Sequence, residues 1–291
     1  MDVAFIGLGV MGLPMATNIR AAGHRVVAFA RRADVIEAAR RRDIEMRDSI
    51  GEAVAGAEIV ITMLTDGEAV RTVALGDDGI IHRIDPRATY IDMSTIAPSE
   101  WAEVRDALET RGIETIDAPV SGGEQGAIDG VLSIMAGGDR EAIERVEPVL
   151  STLGTVVHVG PPGAGQVVKA ANQLIVAGNL QLVAEALILV ERGGVDRAVA
   201  LDVIGRGLGG STVIQRKRDA FLEHRYQPGF RLDLHAKDLG IVADAARRDR
   251  LALPLTAAVT QIVNSAVATG KGGLDHSALY EVALEANGSA E

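Results

Sequence analysis

Gly7-Leu8-Gly9-Val10-Met11-Gly12 spells G-x-G-x-x-G. In a chain with 33 glycines the spacing alone is a weak signal. Its context makes it strong: it follows an apolar run at 2–7 and precedes a helical pattern at 13–22 that stops at Gly23. The chemistry such a loop performs is dinucleotide binding. Gly7 permits the tight turn, Gly9 lets backbone approach a pyrophosphate, and Gly12 allows close helix–strand packing. The N–H groups at the helix start then face the phosphates. About twenty residues on, NAD-preferring sites carry an acidic residue for the ribose 2′-hydroxyl. Here the segment reads Phe29-Ala30-Arg31-Arg32. No carboxylate repels a 2′-phosphate and two guanidiniums are placed to pair with one, so NADP is expected in preference to NAD. The alternative is two plain surface arginines beside an Ala30 that tolerates both cofactors.

Three more segments carry polar residues past apolar runs, where ligand crevices of open α/β sheets lie. The first is Asp92-Met93-Ser94-Thr95-Ile96-Ala97-Pro98. The second is Asp117-Ala118-Pro119-Val120-Ser121-Gly122-Gly123. A Ser followed by two Gly places a hydroxyl beside freely oriented N–H groups, a cradle that suits a carboxylate; a flexible turn is the other reading. The third, Gly163 to Gln173, puts Lys169, Asn172 and Gln173 at i, i+3 and i+4, on one helix face. A lone lysine in an apolar helix usually snorkels to the surface. Two amides beside it and a glycine-rich helix start favour a polar cavity instead. The six histidines are scattered without ligand spacing, so no metal is expected.

These segments need elements to hold them. Strand-like runs at 2–7, 25–30, 57–63, 88–92, 113–117, 131–136 and 155–159 are rich in Val and Ile, and the early ones alternate with helical patterns. That predicts βαβ units and a mainly parallel sheet. Pro161-Pro162-Gly163 ends the strand signals. A helical pattern then runs 164–192, roughly 40 Å at ~1.5 Å per residue, and stops at Gly193-Gly194. It is apolar on most faces, so burial nearly all round is expected. Lys169, Asn172, Gln173, Asn179, Gln181 and Glu185 count against a bilayer span. Further helices are expected over 195–288. The expected fold class is α/β: a Rossmann-type doubly wound sheet (1–161), a long connecting helix (162–193) and an all-helical C-terminal domain for substrate and oligomerisation (194–291).

Composition agrees. The 29 Lys+Arg against 40 Asp+Glu give 29 − 40 = −11, with 47% hydrophobic and 24% charged residues, which excludes disorder. An acidic chain with eight aromatics (four Phe, three Tyr, one Trp) makes a poor nucleic-acid binder. Arg40-Arg41-Arg42 reads as a solvated helix end. Zero Cys excludes disulfides and thiolate chemistry and is compatible with a reducing compartment. The opening Met1-Asp2-Val3-Ala4-Phe5-Ile6 has no basic n-region and reads as a strand, so a soluble cytoplasmic protein is expected.

Taken together, the fingerprint continuing as Leu13-Pro14-Met15-Ala16-Thr17-Asn18, the Asp92-Met93-Ser94-Thr95 segment, Ser121-Gly122-Gly123, Lys169 with Asn172, and Lys237-Asp238-Leu239 resemble the β-hydroxyacid dehydrogenase family over essentially the whole chain. Many relatives have a second Asn where Gln173 stands. The Asn172-Gln173 pair is similar to the tartronate semialdehyde branch, as are Gly122-Gly123-Glu124, Gly209-Gly210-Ser211-Thr212-Val213 and the stretch from Pro228 to His235. The resemblance implies hydride transfer between a nicotinamide and a carbon beside a carboxylate-bearing centre, as in reduction of tartronate semialdehyde to glycerate in glyoxylate metabolism. It implies Lys169 as the acid/base and Ser121, Gly122 and Gly123 as carboxylate ligands, with Asn172 and Gln173 on the substrate. Thr95 and Lys237 are implied at the cofactor, and Met63 and Leu64 beside the dinucleotide. A cationic lysine suits the role, because negative charge grows on the carbonyl oxygen as hydride arrives. His235 either touches the substrate or caps a helix. Another small semialdehyde, such as that related to 3-hydroxyisobutyrate, is the rival substrate; Gln173 and His235 favour the hydroxyl-bearing one. Lys169 speaks against an inert scaffold and against imine-reducing relatives, which generally lack a lysine there. A homodimer or homotetramer is implied.

Overall fold

Strand β1 (Asp2–Ile6) is apolar and buried on both faces from Val3 onward, the mark of a central parallel strand. In the computed structural model, which describes residues 1–288, it pairs in parallel with β2 (Arg25–Phe29) on one side. On the other side it pairs in parallel with a strand at Ile59–Thr62. The sheet has nine strands: β3 (Glu45–Met46), β4 (Ile59–Thr62), β5 (Thr89–Asp92), β6 (Glu114–Asp117), β7 (Val120–Ser121), β8 (Leu132–Gly137) and β9 (Gly154–Gly160) complete it. The order is β3-β2-β1-β4-β5-β6-β8-β7, with β9 on β8. The first six strands are parallel, in the dinucleotide-binding order 3-2-1-4-5-6. β8 then runs antiparallel to β6 and β7 and parallel to β9, so the sheet is mixed. All seven expected strands are present. The two others, β3 and β7, are two residues long and too short to leave a period-2 pattern.

Two apolar layers cover the sheet. One packs Met15, Ile19 and Val146 against Phe5, Ile61 and Ile134. The other packs Val70, Trp101 and Leu108 against Ile6, Val60 and Tyr90. Tyr90 and Trp101 stack with centroids 6.3 Å apart.

The long helix Ala164–Arg192 follows β9. The chain divides within it into two compact units, Met1–Lys169 and Ala170–Glu291. Among the described residues the second unit is built of helices: Arg197–Arg206, Thr212–Glu223, Leu232–Asp249, Pro254–Ala266 and Leu279–Ala286 follow the long one. Side chains of Asp196 and Ser211 cap the first two of these by accepting from Val199 N and Ile214 N. Their core gathers Leu180, Ala184, Leu187, Phe221, Leu239, Val263 and Tyr280.

The expected all-round burial of the long helix is overturned. Ala177, Leu180, Ala184 and Leu187 are buried, but Ile175, Leu182 and Leu189 are 61%, 62% and 76% exposed. These three are spaced by seven and share one stripe, which the described residues leave exposed. By length and hydropathy the helix also fits a bilayer span. Its Gln173 and Gln181 are nevertheless buried in protein, donating to Asp238 at 2.6 Å and Glu185 at 2.7 Å.

Candidate active site

The carboxyl ends of β1, β4 and β5 converge through backbone and short polar side chains. Gly7 leaves β1 with φ +106°, and a Cβ there would lie 2.3 Å from Met63 O. Met63 N donates to Ile6 O at 3.0 Å, and Leu64 N donates to Ser94 Oγ at 2.9 Å. The Ser94 hydroxyl donates in turn to Asp92 Oδ1 at 2.7 Å, which also accepts from Thr62 Oγ1 at 2.8 Å. With that proton committed, Tyr90 OH, 2.9 Å away, donates to Thr62. Burial raises the Tyr90 phenol well above its ordinary value, so it stays protonated. Met63, Leu64 and Thr95 are thereby held on the same rim as Gly7. Asp92 and Ser94 are the residues that set this rim, and a serine two positions after an aspartate at a strand end is the signal for them.

The loop past Gly7 fits a dinucleotide. Gly12 opens the helix Gly12–Ala21, and a Cβ on it would fall 1.9 Å from Gly7 O, so helix and strand touch through backbone. Gly9 is different: a Cβ there would have nothing within 4 Å, which leaves the peptide open to a phosphate. The helical ladder begins with Leu13 N donating to Gly9 O at 3.1 Å, so the amides of residues 9–12 precede it. Val10 is 65% exposed and Met11 partly buried. Arg31 and Arg32 are both exposed but differ. Arg32 lies 3.5 Å from Asp34. Arg31 lines a cavity of about 580 Å³ with Phe29, Ser49, Ile50, His82 and Arg83.

Ser121 ends β7, and Gly122 and Gly123 follow with φ +146° and +65°. Both lie in the region that favours glycine, so the segment is an ordered strand-to-helix corner. A Cβ on Gly123 would meet nothing within 4 Å. Four residues before Ser121, Asp117 is fully buried, and its carboxylate accepts from Gly163 N at 2.6 Å and Gln166 N at 2.9 Å. Gln166 Nε2 donates to Ser94 O at 2.9 Å, and Gln166 Oε1 accepts from Ile96 N at 3.1 Å. Lys169 follows one turn on and is 6% exposed, so the snorkelling alternative does not hold.

In the second unit Asn172 donates to Gln173 Oε1 at 2.9 Å. Gln173 Nε2 donates to Asp238 Oδ2, and the other oxygen of Asp238 lies 2.9 Å from Lys237 Nζ. These four side chains form one polar string. The helix-cap reading of His235 is corrected. His235 lies inside the helix Leu232–Asp249, whose N-cap is Arg231, so it caps nothing. It is also fully buried, with Nε2 3.1 Å from Gln173 O and Nδ1 3.2 Å from His276 Nδ1. Its place on the inward side of an amphipathic helix puts it there. Among the described residues no cluster of three or more His, Asp or Glu could hold a metal ion.

A Rossmann-order sheet with an open glycine loop at its first strand defines a dinucleotide-binding protein. The comparisons make it an NAD(P)-dependent oxidoreductase acting on hydroxyl groups. The NAD binding domain of 6-phosphogluconate dehydrogenase matches residues 2–160, and the NAD-binding domain of NADP-dependent 3-hydroxyisobutyrate dehydrogenase matches 163–283. The chain belongs to the β-hydroxyacid dehydrogenase family, whose 3-hydroxyisobutyrate dehydrogenases share its fold. It is 37% identical to 2-hydroxy-3-oxopropionate reductase of Escherichia coli K12, over 98% of this chain and 97% of that one. It is 35% identical to 3-hydroxyisobutyrate dehydrogenase of Pseudomonas aeruginosa PAO1, over 97% and 98%. The solved structure of Mycobacterium tuberculosis 3-hydroxyisobutyrate dehydrogenase with L-serine superposes with a TM-score of 0.88 at 33% identity, covering 96% of this chain and 98% of that one.

Proposed function

We propose that the enzyme reduces tartronate semialdehyde (2-hydroxy-3-oxopropanoate) to glycerate, with NADPH preferred to NADH and Lys169 as proton donor. The observation that carries the chemistry is a buried lysine in a helix whose first turn is bonded to strand ends. The dinucleotide, when bound, supplies the hydride. Lys169 then meets the oxyanion that forms at the carbonyl and delivers a proton to it. Ser121, Gly122 and Gly123 take the carboxylate through a hydroxyl and outward N–H groups. Asn172 orients the substrate, its amide steadied by Gln173. Thr95, Lys237, Met63, Leu64 and the loop from Gly7 to Gly12 serve the cofactor, and Arg31 takes its 2′-phosphate. The similarity to the E. coli reductase over nearly the full chain supports the substrate.

A second reading, 3-hydroxyisobutyrate or another methyl-bearing acid, is supported by one observation: Gln173 donates to Asp238 and His235 lies against Gln173 O, so both have internal polar partners. A panel of small semialdehydes and hydroxyacids, followed by nicotinamide absorbance with both cofactors, separates the two. The expected outcome is highest kcat/KM for tartronate semialdehyde with NADPH, a ~10²–10⁴-fold loss of kcat in Lys169→Ala, and loss of the NADPH preference in Arg31→Ala. Activity confined to methyl-bearing compounds selects the second reading. A cofactor ratio near one, or in favour of NADH, removes the claim on Arg31.

We also propose a homodimer or homotetramer, supported by the exposed apolar stripe Ile175, Leu182 and Leu189.

A further inference from the structure

Among the described residues five α-helices are capped by a local side chain: Ser49, Asp66, Asp139, Asp196 and Ser211 each accept from an N–H three residues on. The long helix is held differently. Its first turn is bonded by Asp117, which is 46 residues away from Gly163 in the chain and 49 from Gln166. A buried carboxylate is a demanding cap, because removing charge from water is costly unless donors replace the lost solvent. What it provides that a local cap cannot is a tie between two places. Asp117 ends β6, four residues before Ser121, so one carboxylate joins the Ser121 segment to the helix that carries Lys169.

Gln166 makes a second tie. It is 1% exposed, and its amide bonds Ser94 O and Ile96 N, the groups on either side of Thr95. The surroundings leave no slack. A Cβ on Gly165 would fall 2.3 Å from Met135 O and 2.7 Å from Asp117 Oδ2, and one on Gly137 would fall 2.6 Å from Asp117 Oδ1. Helix, β8 and the carboxylate are therefore in contact through backbone. Lys169 lies three residues beyond Gln166, about 4.5 Å along the axis. A shift of the first turn is passed to Lys169 with little loss, and a misplacement of ~1 Å can cost ~10²-fold in rate.

We infer that Asp117 and Gln166 are positioning residues for hydride transfer, setting Lys169 in register with Thr95 and Ser121. The inference rests on the reading of Lys169 as proton donor. It is tested on the full chain with Gln166→Met, Gln166→Glu, Asp117→Asn, Asp117→Ala and Lys169→Ala, at a temperature where circular dichroism shows each variant folded. Gln166→Met is expected to lower kcat about ten- to a hundredfold with KM changed less than about threefold. Its solvent deuterium isotope effect should rise, because proton delivery becomes limiting. Gln166→Glu keeps the acceptor for Ile96 N and should fall between Met and wild type. Asp117→Asn keeps one acceptor and should fall between wild type and Asp117→Ala. Folded variants with lower melting temperatures but wild-type kcat and isotope effect would show a scaffold role only and overturn the inference. If Lys169→Ala itself turns over normally, the proton-donor reading fails and the inference falls with it. If Lys169→Ala is inactive while the Gln166 and Asp117 variants are normal, the inference fails alone.

Discussion

Asp117 holds its proton more tightly than an ordinary aspartate. Burial pushes its pKa up to about 6. The N–H groups of Gly163 and Gln166 pull in the opposite direction, and the neighbouring Asp92 charge adds to the rise. The sign for stability follows. Between about 4 and about 6 the folded state binds this proton and the unfolded state does not, so stability at this site falls as pH rises through 6. The whole change is on the order of 2–3 kcal/mol. Urea midpoints at pH 5, 6 and 7 should therefore show wild type losing stability relative to Asp117→Asn as pH rises. Parallel profiles would contradict the assignment. At neutral pH the carboxylate is ionised and accepts both helix amides, the state in which the positioning role operates.

The strand–loop–helix element at the start of the chain separates two uses of glycine. Gly12 serves packing: a methyl group there would meet the Gly7 carbonyl at 1.9 Å and Phe5 Cε1 at 3.1 Å, so backbone would have to part. Gly12→Ala should destabilise the protein by about 1–3 kcal/mol or more, as overpacking does. Gly9 serves access: a methyl group there enters open space, so Gly9→Ala should leave the melting temperature within a degree or two of wild type, the range of an ordinary surface change. Dinucleotide affinity, read by fluorescence titration, should nevertheless fall at least about tenfold, the loss of ~1.4 kcal/mol of phosphate contact. Equal melting losses in both variants, or unchanged affinity in Gly9→Ala, would remove this division of labour.

At the scale of the whole molecule, the second unit hides Leu180, Ala184 and Leu187 of the long helix and exposes Ile175, Leu182 and Leu189. An exposed apolar stripe of this kind calls for a partner surface. Leu182→Asp places a charge at its centre. It should shift the mass seen by light scattering from dimer or tetramer to monomer, while the helical circular dichroism of the monomer persists. A wild-type monomer at micromolar concentration would end the proposal.

Local grammar made much of the protein legible. The fingerprint, the seven main strands, the break at Pro161-Pro162-Gly163 and the long helix each rest on periodicity or on a glycine that its neighbours require, and these act over a few residues. β3 and β7 were not legible, since two residues carry no period. Nor was the burial of His235: a histidine reads alike on either face of a helix until the partners of that helix are known. The sequence alone also showed Lys169, Asn172 and Gln173 on one helix face. That Asp117 reaches across 49 residues to bond Gln166, and that Gln166 brackets Thr95, was decided only by the tertiary structure. Spacing along a chain says which residues share a turn, whereas a bond between a strand end and a distant helix exists only once the sheet order has brought them together.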